Sequence, residues 1–199
     1  MTTAIAHKPR TLQKEKTNKK AISLEAFLSH YSNKEDGYKY EWHNGHVEKT
    51  PRTMNRDQSQ IQAAILAYFY TNPKFRQEGA FLVELDMFIP TENRTRRADM
   101  AFLTTQQMDD TQKGDASVAP FVIEVISNFD KINEFETKLK EYFINGVQVV
   151  WQIIPLSETV KVYTSVKNVK ICQDDDVCSA SPVLPTFQMS VHDILNLKK

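Results

Sequence analysis

Glycine is scarce in this chain, five in 199 residues, and no glycine-rich loop is present. Phosphate-cradling nucleotide loops and dinucleotide fingerprints need such glycines, so the sequence argues against a nucleotide-driven motor or a dehydrogenase. A Gly-x-Ser-x-Gly elbow is also missing, which removes the usual esterase arrangement. Cysteine is limited to Cys172 and Cys178, separated by Gln-Asp-Asp-Asp-Val. So few cysteines favour free thiols in a reducing cytoplasm over a disulfide framework. No apolar run approaches the roughly 18 residues that span a bilayer, and the N-terminus has no apolar signal core. A cytoplasmic location with no membrane partner is therefore expected. Net charge is absent too: 25 Lys and Arg balance 25 Asp and Glu. No bulk field attracts a polyanion, which leaves room only for a local basic groove.

What is present suits one domain with a proper core. Residues 1–20 are polar, Lys-rich and free of aromatics, and read as a flexible basic arm. Residues 21–199 form the globular part. Ser23 can cap a short helix carrying Leu24, Phe27 and Leu28. Tyr38 to Lys49 reads as a hairpin turning at Asn44-Gly45, and Ile61 to Tyr70 as a helix stopped near Asn72-Pro73. Ala80 to Ile89 is a strand ended by Pro90, and a polar turn from Thr91 to Arg96 leads to the next. A loop over Thr111 to Ser117 precedes another strand. A helix from about Lys131 to Asn145 carries Ile132, Phe135, Leu139, Tyr142 and Phe143 at helical spacing and stops at Gly146. Val147 to Ile154 is a buried strand, Val160 to Tyr163 and Val169 to Cys172 an outer hairpin, and Ser190 opens a last helix with Asp193 three residues on. The pattern predicts an α/β fold with a central mixed sheet flanked by helices, plus additional β-hairpins.

The stretch Phe121-Val122-Ile123-Glu124-Val125-Ile126-Ser127 holds one carboxylate inside an apolar, β-branched strand. An ionised group buried without a partner is costly by several kcal/mol, so Glu124 needs company, and a metal ion is a common reason. Arg97-Ala98-Asp99-Met100-Ala101-Phe102-Leu103 repeats the arrangement with Asp99. By alternation Asp99 shares a face with Ala101 and Leu103, and Glu124 with Val122 and Ile126. Mg²⁺ takes one or two protein carboxylates, with water and phosphate completing the octahedron, so adjacent strands would let this pair hold Mg²⁺ or Mn²⁺. Lys138 falls at the edge of the apolar helix stripe beside Phe135 and Tyr142, from where its stem can lie along the core. There it could orient a water, take its proton or neutralise a transition state. The plainer alternative is a surface lysine paired with Glu134 or Glu141.

Other features admit ordinary explanations. His43 and His46 would pair across the hairpin with Glu41 and Glu48 on the same face, a set that could bind zinc; a solvent-facing polar side is the plainer account. Arg94, Arg96 and Arg97 could grip phosphates or pair with Asp99, although a charged turn is the commoner explanation. Asp174 to Asp176 lacks the spacing of a calcium loop. Trp42 and Trp151 read as core residues.

The order Glu41, Asp99, Glu124, Lys138 resembles the PD-(D/E)XK nuclease superfamily, and within it the Uma-two-type restriction endonucleases. The resemblance runs from about Leu24 to Leu195. It rests on Tyr40-Glu41 ahead of Asn44-Gly45, Arg97-Ala98-Asp99, Ile123 to Ser127, Lys138 with Tyr142, Gly146-Val147, Trp151, and Ser181-Pro182-Val183-Leu184-Pro185 followed by Phe187. It implies a restriction-endonuclease-like core and a metal-dependent endonuclease that hydrolyses DNA, with Asp99 and Glu124 as ligands to Mg²⁺ or Mn²⁺. The Val125 carbonyl would add a third oxygen, Glu41 would steady the water or a second ion, and Lys138 would assist the attacking water. The chain departs from the pattern at Ile126, where a lysine is usual, at Ala98, where proline is common, and at Gln58, near a frequent histidine. The alternative is a noncatalytic nucleic-acid-binding or protein-interaction module on the same fold. Many nucleases of this class are dimers, so a homodimer is admitted, although no seam is visible.

Overall fold

The computed structural model describes residues 15–16, 20–51, 56–112, 118–126 and 132–196. Most of the arm expected over Met1 to Lys20, residues 113–117 of the expected loop, and Ser127 lie outside the described residues. The elements in order are β1 (Glu15–Lys16), α1 (Leu24–Tyr31), β2 (Tyr38–His43), β3 (His46–Pro51), α2 (Arg56–Thr71), α3 (Pro73–Glu78), β4 (Gly79–Ile89) and β5 (Arg94–Thr104). They continue with α4 (Thr105–Gln112), β6 (Phe121–Val125), α5 (Ile132–Ile144), β7 (Val149–Ile154), β8 (Thr159–Ser165), β9 (Asn168–Gln173), β10 (Val177–Ala180), β11 (Leu184–Ser190) and α6 (Val191–Leu195).

Local chemistry accounts for the boundaries. Ser23 accepts from the Ala26 N–H at 3.1 Å and starts α1. Asn44 and Gly45 both adopt positive φ, 48° and 84°, as a two-residue hairpin turn requires. Gly146, at φ 99°, follows α5 and ends it as expected. Asn72 caps α3 through the Lys74 N–H, so the expected stop at Asn72-Pro73 is also the start of a further helix. Two more boundaries differ from the sequence reading. Thr105–Gln112 is helical because Gln107 folds back onto Thr104, and the polar turn after Ile89 is only the single 3-10 turn Pro90–Glu92. Arg94, Arg96 and Arg97 are therefore not a charged turn: they lie within β5 and are buried.

Eight strands run in the order β1-β3-β2-β5-β6-β7-β8-β9, with β4 paired to β5 off this path. The sheet is mixed, because β6 and β7 are parallel and the other pairs antiparallel. One edge of β5 carries β4 along its length. The other edge is shared: β2 meets it at His43 and Arg94, and β6 between Met100 and Phe102. Between these two contacts β2 and β6 diverge, and the sheet forks.

Two apolar layers sandwich the sheet. On one side, Phe135, Leu139 and Tyr142 of α5 pack on Ala101, Leu103, Val122 and Val150. On the other, Ile61, Ile65 and Phe69 of α2 join Phe81, Phe121 and Trp151, with Phe187 of β11 among them. A third cluster seats α1 on the β2–β3 hairpin through Phe27, Tyr40, Trp42 and Val47. Cys172 and Cys178 are free thiols, both buried. Among the described residues no helix is long and apolar enough to cross a membrane.

Phe187 is fully buried, with ring centroids of Tyr68, Phe75, Phe81 and Trp151 between 5.3 and 5.8 Å from its own. Phe187→Ala is expected to destabilise the protein by about 3–5 kcal/mol. Thermal unfolding should then fall by about 2–4 °C for each kcal/mol lost. Gly79 is also expected to resist substitution, because a Cβ there would lie 2.0 Å from the Leu103 carbonyl oxygen. Gly79→Ala should lower the urea midpoint by an amount corresponding to about 1–3 kcal/mol.

Candidate active site

The fork in the sheet exposes backbone donors that a continuous ladder would have satisfied, and side chains take them up. Thr95 Oγ1 accepts from the Trp42 N–H at 2.7 Å. Glu41 Oε1 accepts from the Arg97 N–H at 3.3 Å, and Asp99 Oδ2 from the Val125 N–H at 2.9 Å. The β5–β6 register pairs Met100 with Ile123, so one step further along Asp99 stands opposite Glu124. Two carboxylates thus come together on adjacent strands, the condition that the sequence left open.

The alternation of β5 slips at this point. Ala98, Ala101 and Leu103 all pack on the α5 side, although Ala98 and Ala101 are an odd number apart. Across the pair, Glu84 has a φ of 51° and drops out of the β4 ladder. The Asp99 carbonyl accepts instead from Gln62 Nε2 of α2 at 3.3 Å. Gln62 lies one helical turn beyond Gln58 on α2.

Each oxygen of Glu124, which is 4 % exposed, has a donor on α5. Tyr142 Oη donates to Oε1 at 2.6 Å, and Lys138 Nζ lies 3.4 Å from Oε2. The two donors are one turn apart, so a single helix face holds the carboxylate. Lys138 therefore reaches back to the strand. Burial alone would lower its pKa, but the charges of Glu124, Glu41 and Asp99 together outweigh burial and hold it above the usual lysine value. Tyr142 is driven well above the usual phenol value, first by burial and then by the charge and hydrogen bond of Glu124. It is a neutral donor.

Glu41 sits deeper in an ion network. Arg96 Nη1 is 3.2 Å from its Oε2, and the other side of the same guanidinium grips Glu141 of α5 through Nε at 2.6 Å and Nη2 at 3.0 Å. Arg94 lies 3.4 Å from Glu48 and 3.6 Å from both Glu41 and Glu141. Burial opposes the charge on Arg96, yet Glu41 and Glu141 more than compensate and raise its pKa. Arg97 turns the other way, to Asp86 and the Ser32 carbonyl. None of the three arginines ion-pairs with Asp99; Lys39 does, at 3.6 Å.

Three of these contributors were missed in the sequence: Lys39, Tyr142 as a hydrogen-bond donor, and Arg96. Signals existed for two of them. Lys39 shares the Glu41 face of β2 by alternation, and Tyr142 lies one turn after Lys138.

The donor chemistry fits a hard divalent cation. Asp99 and Glu124 each have one oxygen fixed by a neutral donor, while the other faces an ammonium at the loose distance of 3.4–3.6 Å. It does not fit zinc, because among the described residues no three His, Cys, Asp or Glu side chains gather to hold an ion. In the hairpin His43 and His46 do pair across the turn beside Glu41 and Glu48. But Glu41 is turned to Arg96, and His43 Nδ1 lies 3.8 Å from Glu48. Arg96→Met would strand Glu41 and Glu141 as buried charges, at an expected cost of about 3–5 kcal/mol in urea unfolding. Adding Glu41→Gln and Glu141→Gln should restore much of that loss, because the stranded charges are then gone.

A family model described as "Uma2: Putative restriction endonuclease" matches residues 24–192. That span includes Glu41, Asp99, Glu124 and Lys138. No curated protein matches the chain. Among solved structures, the crystal structure of a putative nuclease belonging to DUF820 from Anabaena variabilis ATCC 29413 superposes with a TM-score of 0.71. The match has 17% identity and covers 88% of this chain and 98% of that one. At that identity the likeness speaks for a shared fold, which is α/β and restriction-endonuclease-like. With most of its length matched by the family model, the chain belongs to the Uma2 family of restriction-endonuclease-like proteins.

Proposed function

We propose that this protein is a metal-dependent endonuclease hydrolysing DNA phosphodiester bonds, with Asp99 and Glu124 as the ligands to Mg²⁺ or Mn²⁺. The observation that carries the reading is the opposition of Asp99 and Glu124 across the fork, with Lys138 brought to the same place from α5. The Val125 carbonyl, at the end of β6 beside Asp99, is the candidate third oxygen. A divalent cation there supplies Lewis-acid polarisation of the phosphoryl group and a lowered pKa for the attacking water.

The chain's own residues divide the remaining work. Lys138 stays charged at neutral pH, so it orients the attacking water and neutralises charge developing on the phosphate, rather than accepting a proton. It takes over from the helix the role for which Ile126 has no chemistry. Tyr142 holds one oxygen of Glu124 still, so the other is presented in one direction. Glu41, engaged by Arg96 and the Arg97 N–H, orders the N-terminal side of the fork.

Supercoiled plasmid incubated with Mg²⁺ or Mn²⁺ should be nicked by wild type, and nicking should fall to background for Glu124→Ala. Equal cutting by the variant would remove Glu124 from the chemistry. Tyr142→Phe should fold but need about 10–100-fold more metal for half-maximal cleavage, as loss of an outer-shell partner typically does. A second reading, a noncatalytic nucleic-acid-binding or protein-interaction module, draws on the fact that both carboxylates already face ammonium groups. It predicts no divalent-metal uptake in calorimetry, and DNA binding indifferent to Asp99→Ala.

A further inference from the structure

On the sheet face beneath α5, the register connects Glu124 to Gln152 on β7 and Gln152 to Lys161 on β8. With Asp99 before Glu124, four polar residues cross four strands in one row. The next row on the same face is Ala101, Val122, Val150 and Tyr163, as expected beneath a packed helix. The polar row therefore departs from the pattern of its own surface.

Gln152 is 8% exposed, and its Oε1 accepts from Tyr163 Oη at 3.3 Å. Among the described residues its Nε2 has no acceptor. Lys161 is half-buried and makes no ion pair among the described residues, whereas Lys39, Arg94, Arg96, Arg97 and Lys138 all face carboxylates. Strands are spaced about 4.8 Å apart, so Gln152 and Lys161 stand one and two strands from Glu124, about 5 and 10 Å away. A spare amide donor and then an unpaired cation, leading away from two carboxylates, suit a chain of phosphates.

We propose that Gln152 and Lys161 form a track for the DNA backbone leaving the cleavage site, with Gln152 Nε2 donating to a phosphate oxygen and Lys161 holding the next phosphate along. The track rests on the nuclease reading of Asp99 and Glu124. It assigns backbone contacts and no base readout, so it should act alike on every sequence.

The test combines salt-dependent binding of a fluorescein-labelled duplex, read by anisotropy without divalent metal, with cleavage kinetics in Mg²⁺. The proteins are wild type, Lys161→Gln, Lys161→Arg, Gln152→Met and Lys167→Gln, the last an exposed lysine off the row. Lys161→Gln should weaken binding several-fold and reduce the slope of log K against log salt by about 0.9, the value for one lost phosphate contact. Its KM should rise with kcat nearly unchanged, because the contact is the same in ground and transition states. Lys161→Arg should restore both, Gln152→Met should weaken binding without altering the slope, and Lys167→Gln should match wild type. Wild type that binds and cuts, with Lys161→Gln equal to it in slope and KM, overturns the track alone. Wild type that neither binds nor cuts overturns the nuclease reading with it.

Discussion

The fork along β5 is the constraint on which the rest of this structure depends. A strand that pairs with β2 at Arg94 and with β6 from Met100 leaves backbone groups between them without ladder partners. Buried N–H groups cannot be left so, and here the acceptors are Thr95, Glu41 and Asp99. Two of the site's carboxylates are thus held in place by the backbone they complete. Their geometry comes from the sheet and not from flexible side-chain packing, which is the kind of support a precise site needs.

Electrostatics follows from that arrangement. Glu41, Glu48, Asp99, Glu124 and Glu141 are met by Lys39, Arg94, Arg96 and Lys138. The pairs differ in quality. Arg96 grips Glu141 bidentately at 2.6 and 3.0 Å, a strong geometry that ties α5 to β5. The ammonium contacts to Asp99 and Glu124 are looser, at 3.6 and 3.4 Å. The tight pairs therefore brace the scaffold, while the loose ones lie on the Asp99 and Glu124 carboxylates. Helix α5 takes part in both, with Glu141 in the brace and Lys138 and Tyr142 at the site.

Much of the fold was legible because its signals are local. Asn44-Gly45, Ser23, Gly146 and Ser190 each announce a turn or cap through the conformations they favour, and each stands where expected. Helix α3 was hidden, because Asn72-Pro73 reads equally as a stop and as a start. Helix α4 was hidden because Thr105–Gln112 has little apolar periodicity. Arg94, Arg96 and Arg97 looked like a surface turn, since three arginines in four residues are seldom buried. Their burial depends on Glu41, Glu48, Asp86 and Glu141, which are distant in sequence.

By itself the sequence determined that Glu124 and Asp99 stand on apolar strands and that Lys138 lies at the edge of a buried helix stripe, because alternation and helical period are properties of consecutive residues. Only the tertiary structure decided that these strands are neighbours in a register that sets the carboxylates opposite each other. It also decided that Tyr142 holds Glu124, that Lys39 faces Asp99, and that Gln152 and Lys161 continue the row. The physical reason is that pairing register and the fork at β5 arise from contacts between segments far apart in the chain, which no local pattern encodes.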